Sequence, residues 1–108
     1  MTSKNNFRRY TDSIDIPFNM AMELFSAADQ FGVERLKKMC ERAILTSINV
    51  ENSATVLQAA DSHNAEGLRK SCVDFIMRNF DAVSKTTAFE EMGRNNVNLI
   101  FEILKQRS

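Results

Sequence analysis

Apolar residues recur along this chain in steps of three and four, and each run of such steps marks the buried stripe of a helix. The first run is Ala21, Leu24, Phe25, Ala28 and Phe31. Pro17 stands ahead of it, suited to the first helical turn, where a missing N–H costs nothing. Gly32 ends it, as a residue able to take a left-handed conformation does. A second stripe follows at once through Val33, Leu36, Met39, Cys40, Ala43 and Ile44. Its outer face carries Glu34, Arg35, Lys37, Lys38, Glu41 and Arg42. Glu34 precedes Lys38 by four residues, the favourable order for a solvated helical pair. With so short a break between the stripes, the two helices must fold back on each other as an antiparallel hairpin.

The next start signal is Asn49, an N-cap residue, with Glu51 in the first turn where the helix dipole favours negative charge. Ala54, Leu57 and Ala60 continue inward with Val56 at their flank. After a break at Ser62-His63-Asn64, Leu68, Cys72, Phe75, Ile76 and Phe80 mark a fourth helix. Residues 81–92 read as a short connector and a turn or two of helix around Phe89 and Met92, and Val97, Ile100, Phe101 and Leu104 line a last helix. No segment alternates with a period of two, so no strand is expected beyond the first dozen residues.

The two hairpins are related in sequence. "AADQFGVERLKKMC" at 27–40 and "AADSHNAEGLRKSC" at 59–72 agree at seven of fourteen positions, at an offset of 32. The expected fold is therefore all-α: two stacked antiparallel helical hairpins with a period of 32, plus a short C-terminal helical pair whose last helix caps the pile. Leu36 with Leu68, Cys40 with Cys72 and Ile44 with Ile76 are equivalent core positions, and alanines at 27–28 and 59–60 let helices approach closely. The repeated aspartate needs a separate reason, because a carboxylate at a helix C-terminus opposes the dipole. Asp29 and Asp61 are expected at the elbows, accepting hydrogen bonds from the free N–H groups that open the following helix.

Composition narrows the function classes. The chain has 108 residues, with fourteen basic and fourteen acidic side chains that cancel. That balance argues against nucleic acid or an anionic membrane held by long-range attraction. A helix-turn-helix reading finds Arg35, Lys37, Lys38 and Arg42 in one helix, but Glu34 and Glu41 share their face and no second basic stripe supports it. The opening "MTSKNNFRRY" lacks the apolar centre of a signal peptide, and no run approaches the roughly 20 apolar residues of a membrane span. Cys40 and Cys72, without a secretion signal, read as buried reduced thiols in a cytoplasmic or nuclear protein. His63, opposite Phe31 in the repeat, reads as a ring with an exposed edge at a turn. No phosphate-binding glycine loop, metal-ligand spacing or nucleophile-base pattern occurs, so neither an enzyme nor a cofactor is expected.

Several of these words together resemble a known family. Tyr10-Thr11-Asp12, Ala27-Ala28-Asp29 and the helix Val33–Glu41 ("VERLKKMCE") resemble the C-terminal helical end of a BTB (POZ) domain. Val50-Glu51-Asn52, Ala60-Asp61-Ser62-His63, and Leu68 with Cys72–Ile76 ("CVDFI") are similar to a BACK region, the 3-box of speckle-type adaptors; "FEEM" at 89–92 resembles its later helix. Kelch-type, leucine-zipper-like and speckle-type BTB proteins share these marks. The resemblance implies a polar leader and remnant BTB edge at 1–12, the closing BTB hairpin at 13–48, and a BACK-like region at 49–108. It also implies a protein-interaction module, part of a substrate adaptor whose partner is the N-terminal region of cullin-3 in a ubiquitin ligase. Tyr10, Val50, Glu51 and His63 are then the partner-facing candidates. Most of a BTB fold has no counterpart here, so the chain reads as a fragment or short form. Its first hairpin is expected to expose apolar area and to self-associate. The alternative is a helical-repeat scaffold unrelated to ubiquitination.

Overall fold

The computed structural model describes residues 16–107. Among them are seven helices and no strand: α1 (Phe18–Phe31), α2 (Glu34–Thr46), α3 (Ser53–Ser62), α4 (Glu66–Arg78), α5 (Phe80–Val83), α6 (Thr87–Asn95) and α7 (Val97–Arg107). The all-α expectation holds. The chain divides into two compact units, Met1–Ser47 and Ile48–Ser108.

In the first unit α1 and α2 pack together across a tight elbow. Pro17 sits just outside α1 as its cap residue, one position earlier than the first-turn placement, and its carbonyl accepts from Ala21 N–H at 2.9 Å. Ala21, Phe25 and Ala28 are the buried row of α1; Cys40, Ala43 and Ile44 are that of α2. Two stripe residues depart from expectation. Phe31 is 77% exposed, because it is the last residue of α1, where the chain reverses, and Val33 just beyond is exposed too. Lys37, read as part of the outer face, is instead buried, for a reason given below.

In the second unit α3 packs against both α4 and α6, and α7 lies against α4 and α6. Ala54, Val56, Leu57 and Ala60 of α3, with Leu68, Cys72, Val73 and Ile76 of α4, form the bulk of its core, closed by Val83, Met92, Leu99 and Ile103. Here the sequence reading of α7 fails at three of its four residues, while the fourth, Ile100, is half-buried. Leu99 and Ile103 are buried, while Val97, Phe101 and Leu104 are 51%, 58% and 44% exposed. Apolar residues occur on nearly every side of this helix, so periodicity alone cannot choose the inward face. The choice falls to long-range contacts: Glu102 accepts from Arg69 of α4, and Asn96 Nδ2 donates to Gln58 Oε1 of α3 at 2.8 Å. Those contacts turn Leu99 and Ile103 inward.

The two elbows are the same structure written twice. Gly32 takes φ +71°, with Val33 N–H donating to Ala28 carbonyl at 2.8 Å and Gly32 N–H to Asp29 carbonyl at 3.2 Å. Thirty-two residues on, Asn64 takes φ +55°, with Ala65 N–H donating to Ala60 carbonyl at 2.9 Å and Asn64 N–H to Asp61 carbonyl at 3.3 Å. Both are Schellman endings, which need a left-handed residue just past the helix; glycine and asparagine are the residues that adopt it most cheaply. The following residues also coincide, Val33 at φ −92°, ψ 85° and Ala65 at φ −91°, ψ 85°. The echo in the sequence is thus an echo in backbone geometry.

Candidate functional site

With Schellman endings supplying the turns, each repeated aspartate also binds a cation of the next helix. Asp29 Oδ1 accepts from Lys37 Nζ at 2.7 Å, and Asp61 Oδ1 accepts from Arg69 Nε at 3.1 Å. Each is an ion pair from the last turn of one helix to the fourth residue of the next, eight residues on. The backbone cap expected at Asp61 is therefore replaced by a side-chain bridge. An antiparallel hairpin puts that fourth residue within reach, and a cation there answers both the carboxylate and the space. The bond to Asp29 holds the Lys37 ammonium above its ordinary pKa; burial opposes this, and the charges of Glu34 and Glu41 add to it. Arg69 also donates to Glu102 on α7. Desolvation pulls its pKa down, but its bonds to Asp61 and Glu102 and their charges more than offset that. Sequence reasoning missed Lys37 and Arg69, although a cation at the same register of both copies was a visible signal.

The cysteines are free and buried. Desolvation pushes the Cys40 thiol up and the Cys72 thiol up to about 12, so both stay protonated and inert near neutral pH. Among the described residues no group of three His, Cys, Asp or Glu side chains is placed to hold a metal ion, and no helix is long and apolar enough to cross a membrane.

A surface groove opens at the entrance to α3. The chain begins to coil at Asn49, whose Oδ1 accepts from Asn52 N–H at 2.8 Å while Asn52 Oδ1 accepts from Asn49 N–H at 2.9 Å. This reciprocal pair is a capping box built from two asparagines. The regular helix starts only at Ser53 with Asn52 as its N-cap residue, so Asn49, expected as the N-cap, instead opens the turn ahead of it, and Glu51 lies before the first turn. Between the two asparagines the turn presents Val50 and Glu51, half-buried and exposed respectively. Facing them are Ala82, Lys85, Thr86, Thr87 and Ala88, around a groove of about 560 Å³. That second wall is fixed by Thr86, whose hydroxyl donates to Val83 carbonyl at 2.7 Å and accepts from Phe89 N–H at 3.1 Å. Behind it Phe80 and Phe89 meet edge to face, centroids 5.8 Å apart. The lining offers one carboxylate, one ammonium, two hydroxyls and several methyl groups.

Of the four partner-facing candidates, Val50 and Glu51 come together in this groove. His63 does not join them: it closes the other end of α3, about 15 Å of helix away. Tyr10 lies outside the described residues.

Residues 52–104, which include α3 to α6 and most of α7, match the family described as "BPM/SPOP, BACK domain". This segment is a BACK domain of the BPM/SPOP type. The chain is also similar to "TD and POZ domain-containing protein 4" of Mus musculus, 40% identical over 84 residues that make up 78% of this chain and 23% of the relative. The chain thus spans about a quarter of the curated relative it matches. The BACK match and the POZ-containing relative together make the chain similar to BTB–BACK proteins. The groove at the α3 entrance straddles the beginning of the BACK domain, with Val50 and Glu51 just ahead of the matched segment and Ala82–Ala88 inside it.

Proposed function

We propose that this chain is part of a BTB–BACK substrate adaptor of cullin-3 ubiquitin ligases, with residues 13–48 as the closing hairpin of a BTB domain and 49–108 as the BACK region. The N-terminal region of the cullin docks along the groove at the entrance to α3. The observation that carries this reading is the juxtaposition of Val50 and Glu51 with Lys85–Ala88, because the resemblance singles out the first pair and the fold gives it a preformed opposite wall. Glu51 and Lys85 provide charges of both signs, and Val50, Ala82 and Ala88 provide apolar contact, a mixture that fits a peptide segment. Calorimetric titration of the chain, joined to an upstream BTB portion, with the cullin-3 N-terminal region tests the reading. Binding that falls with Glu51→Lys or Ala88→Glu supports it, and no binding in the joined form overturns it.

The repeated Schellman elbows favour one other reading, a helical-repeat scaffold in which successive hairpins present a surface to an unrelated partner. A joined BTB–BACK form that ignores the cullin but retains other partners in cell extracts is the result that favours the scaffold.

A further inference from the structure

The charges of α2 are sorted into two neighbouring stripes, and only one of them is spoken for. Glu34, Lys37 and Glu41 stand at i, i+3 and i+7, with the buried Lys37 between the two acids and bound to Asp29 at 2.7 Å. The Lys37 pKa is raised first by its bond to Asp29, with smaller contributions from both glutamates. One residue on, about 100° around the helix, Arg35, Lys38 and Arg42 stand at the same spacing, and all three are exposed. None of them makes an ion pair or hydrogen bond among the described residues, and the Glu34–Lys38 pair favoured by spacing is not closed. Like charges three and four residues apart on a helix repel and weaken it. The three cations make no ion pair or hydrogen bond within the described fold.

We propose that the stripe Arg35, Lys38 and Arg42 docks an acidic linear segment of a partner protein. From Arg35 to Arg42 the stripe runs about 10 Å along the axis, the length of roughly three residues of extended chain. Three or four consecutive acidic residues therefore reach all three cations. Leu45, 38% exposed and one turn beyond Arg42, adds an apolar contact at the end of the row. A duplex is a poorer fit, since its phosphates would also face the adjoining Glu34 and Glu41, whereas a single strand of peptide lies within the basic stripe.

Fluorescence anisotropy on the 108-residue chain tests this, using as probe a labelled peptide with four consecutive glutamates followed by leucine, against the same peptide with glutamines. The glutamate peptide is expected to bind at low salt and to weaken as salt rises. The triple variant Arg35→Glu, Lys38→Glu, Arg42→Glu is expected to weaken it at least about tenfold and to bind a lysine version of the peptide instead. The neutral set Arg35→Gln, Lys38→Gln, Arg42→Gln, expected to leave the helical circular-dichroism spectrum unchanged, decides the matter if the reversed chain does not fold. No binding by the wild type, binding indifferent to both variant sets, or binding of a labelled DNA duplex in place of the peptide overturns the proposal.

Discussion

Removing the two elbow carboxylates separates a bridge from a cap. Lys37 has a side chain 9% exposed and Asp29 one 31% exposed, with 2.7 Å between them. Deleting one partner of a fully buried pair costs roughly 3–5 kcal/mol, because the other charge stays behind unanswered; an exposed pair is worth about 0–1 kcal/mol. Water reaches the exposed third of Asp29, so Asp29→Ala should cost about 2 kcal/mol, a drop of roughly 10 °C in Tm for a domain of this size. At the second elbow Asp61 is 43% exposed, and Arg69 keeps Glu102 when Asp61 is gone. Asp61→Ala should therefore cost only about 0.5 kcal/mol. Adding Lys37→Met to Asp29→Ala should recover most of the first loss, since both charges then leave together. Urea unfolding followed by circular dichroism at pH 7 reads all of these. Equal losses at the two elbows, or a double variant no better than Asp29→Ala, would refute the bridge and return the carboxylates to a capping role.

Three further outcomes follow from the same geometry. Ile103→Ala should cost about 2–4 kcal/mol, since the side chain is fully buried, whereas Phe101→Ala, at 58% exposure, should stay within about 0.5 kcal/mol; thermal melts of the two variants check the inward face of α7. Gly32→Ala should lose about 1 kcal/mol through its positive φ alone, because a Cβ there meets nothing within 4 Å, and Asn64→Gly should be neutral or slightly stabilising in the same melts. The Cys72 thiol, pushed up to about 12 in the fold from 9.0, contributes its full stability below about pH 9, and that contribution is lost as the pH rises, because the unfolded chain ionises first. The difference between wild type and Cys72→Ala should shift by about 1.4 kcal/mol from pH 8 to pH 10, measured by urea unfolding.

What could be read from sequence was whatever local rules decide. Gly32 between two apolar stripes specified a hairpin, the offset of 32 specified a second copy, and Asn49 announced the turn ahead of α3; each depends on residues within one or two turns. The readings that failed depend on contacts from far along the chain. Lys37 looked solvated because glutamates flank it, yet the elbow folds Asp29 onto it. The inward face of α7 was hidden because "NVNLIFEIL" is apolar on several sides, and Arg69, thirty-three residues earlier, pins Glu102. For the groove, Val50 and Glu51 were legible through resemblance alone. Their opposite wall, Lys85 to Ala88, was not, since it is brought there by the packing of α3 against α6.

The docking claim meets its most direct test in an NMR titration of the isotopically labelled chain, joined to an upstream BTB portion, with the N-terminal region of cullin-3. The account predicts amide shifts concentrated at Val50, Glu51 and Lys85–Ala88, with His63 at the far end of α3 little moved. Shifts centred on His63 and the elbows, or no shifts at all, would contradict it.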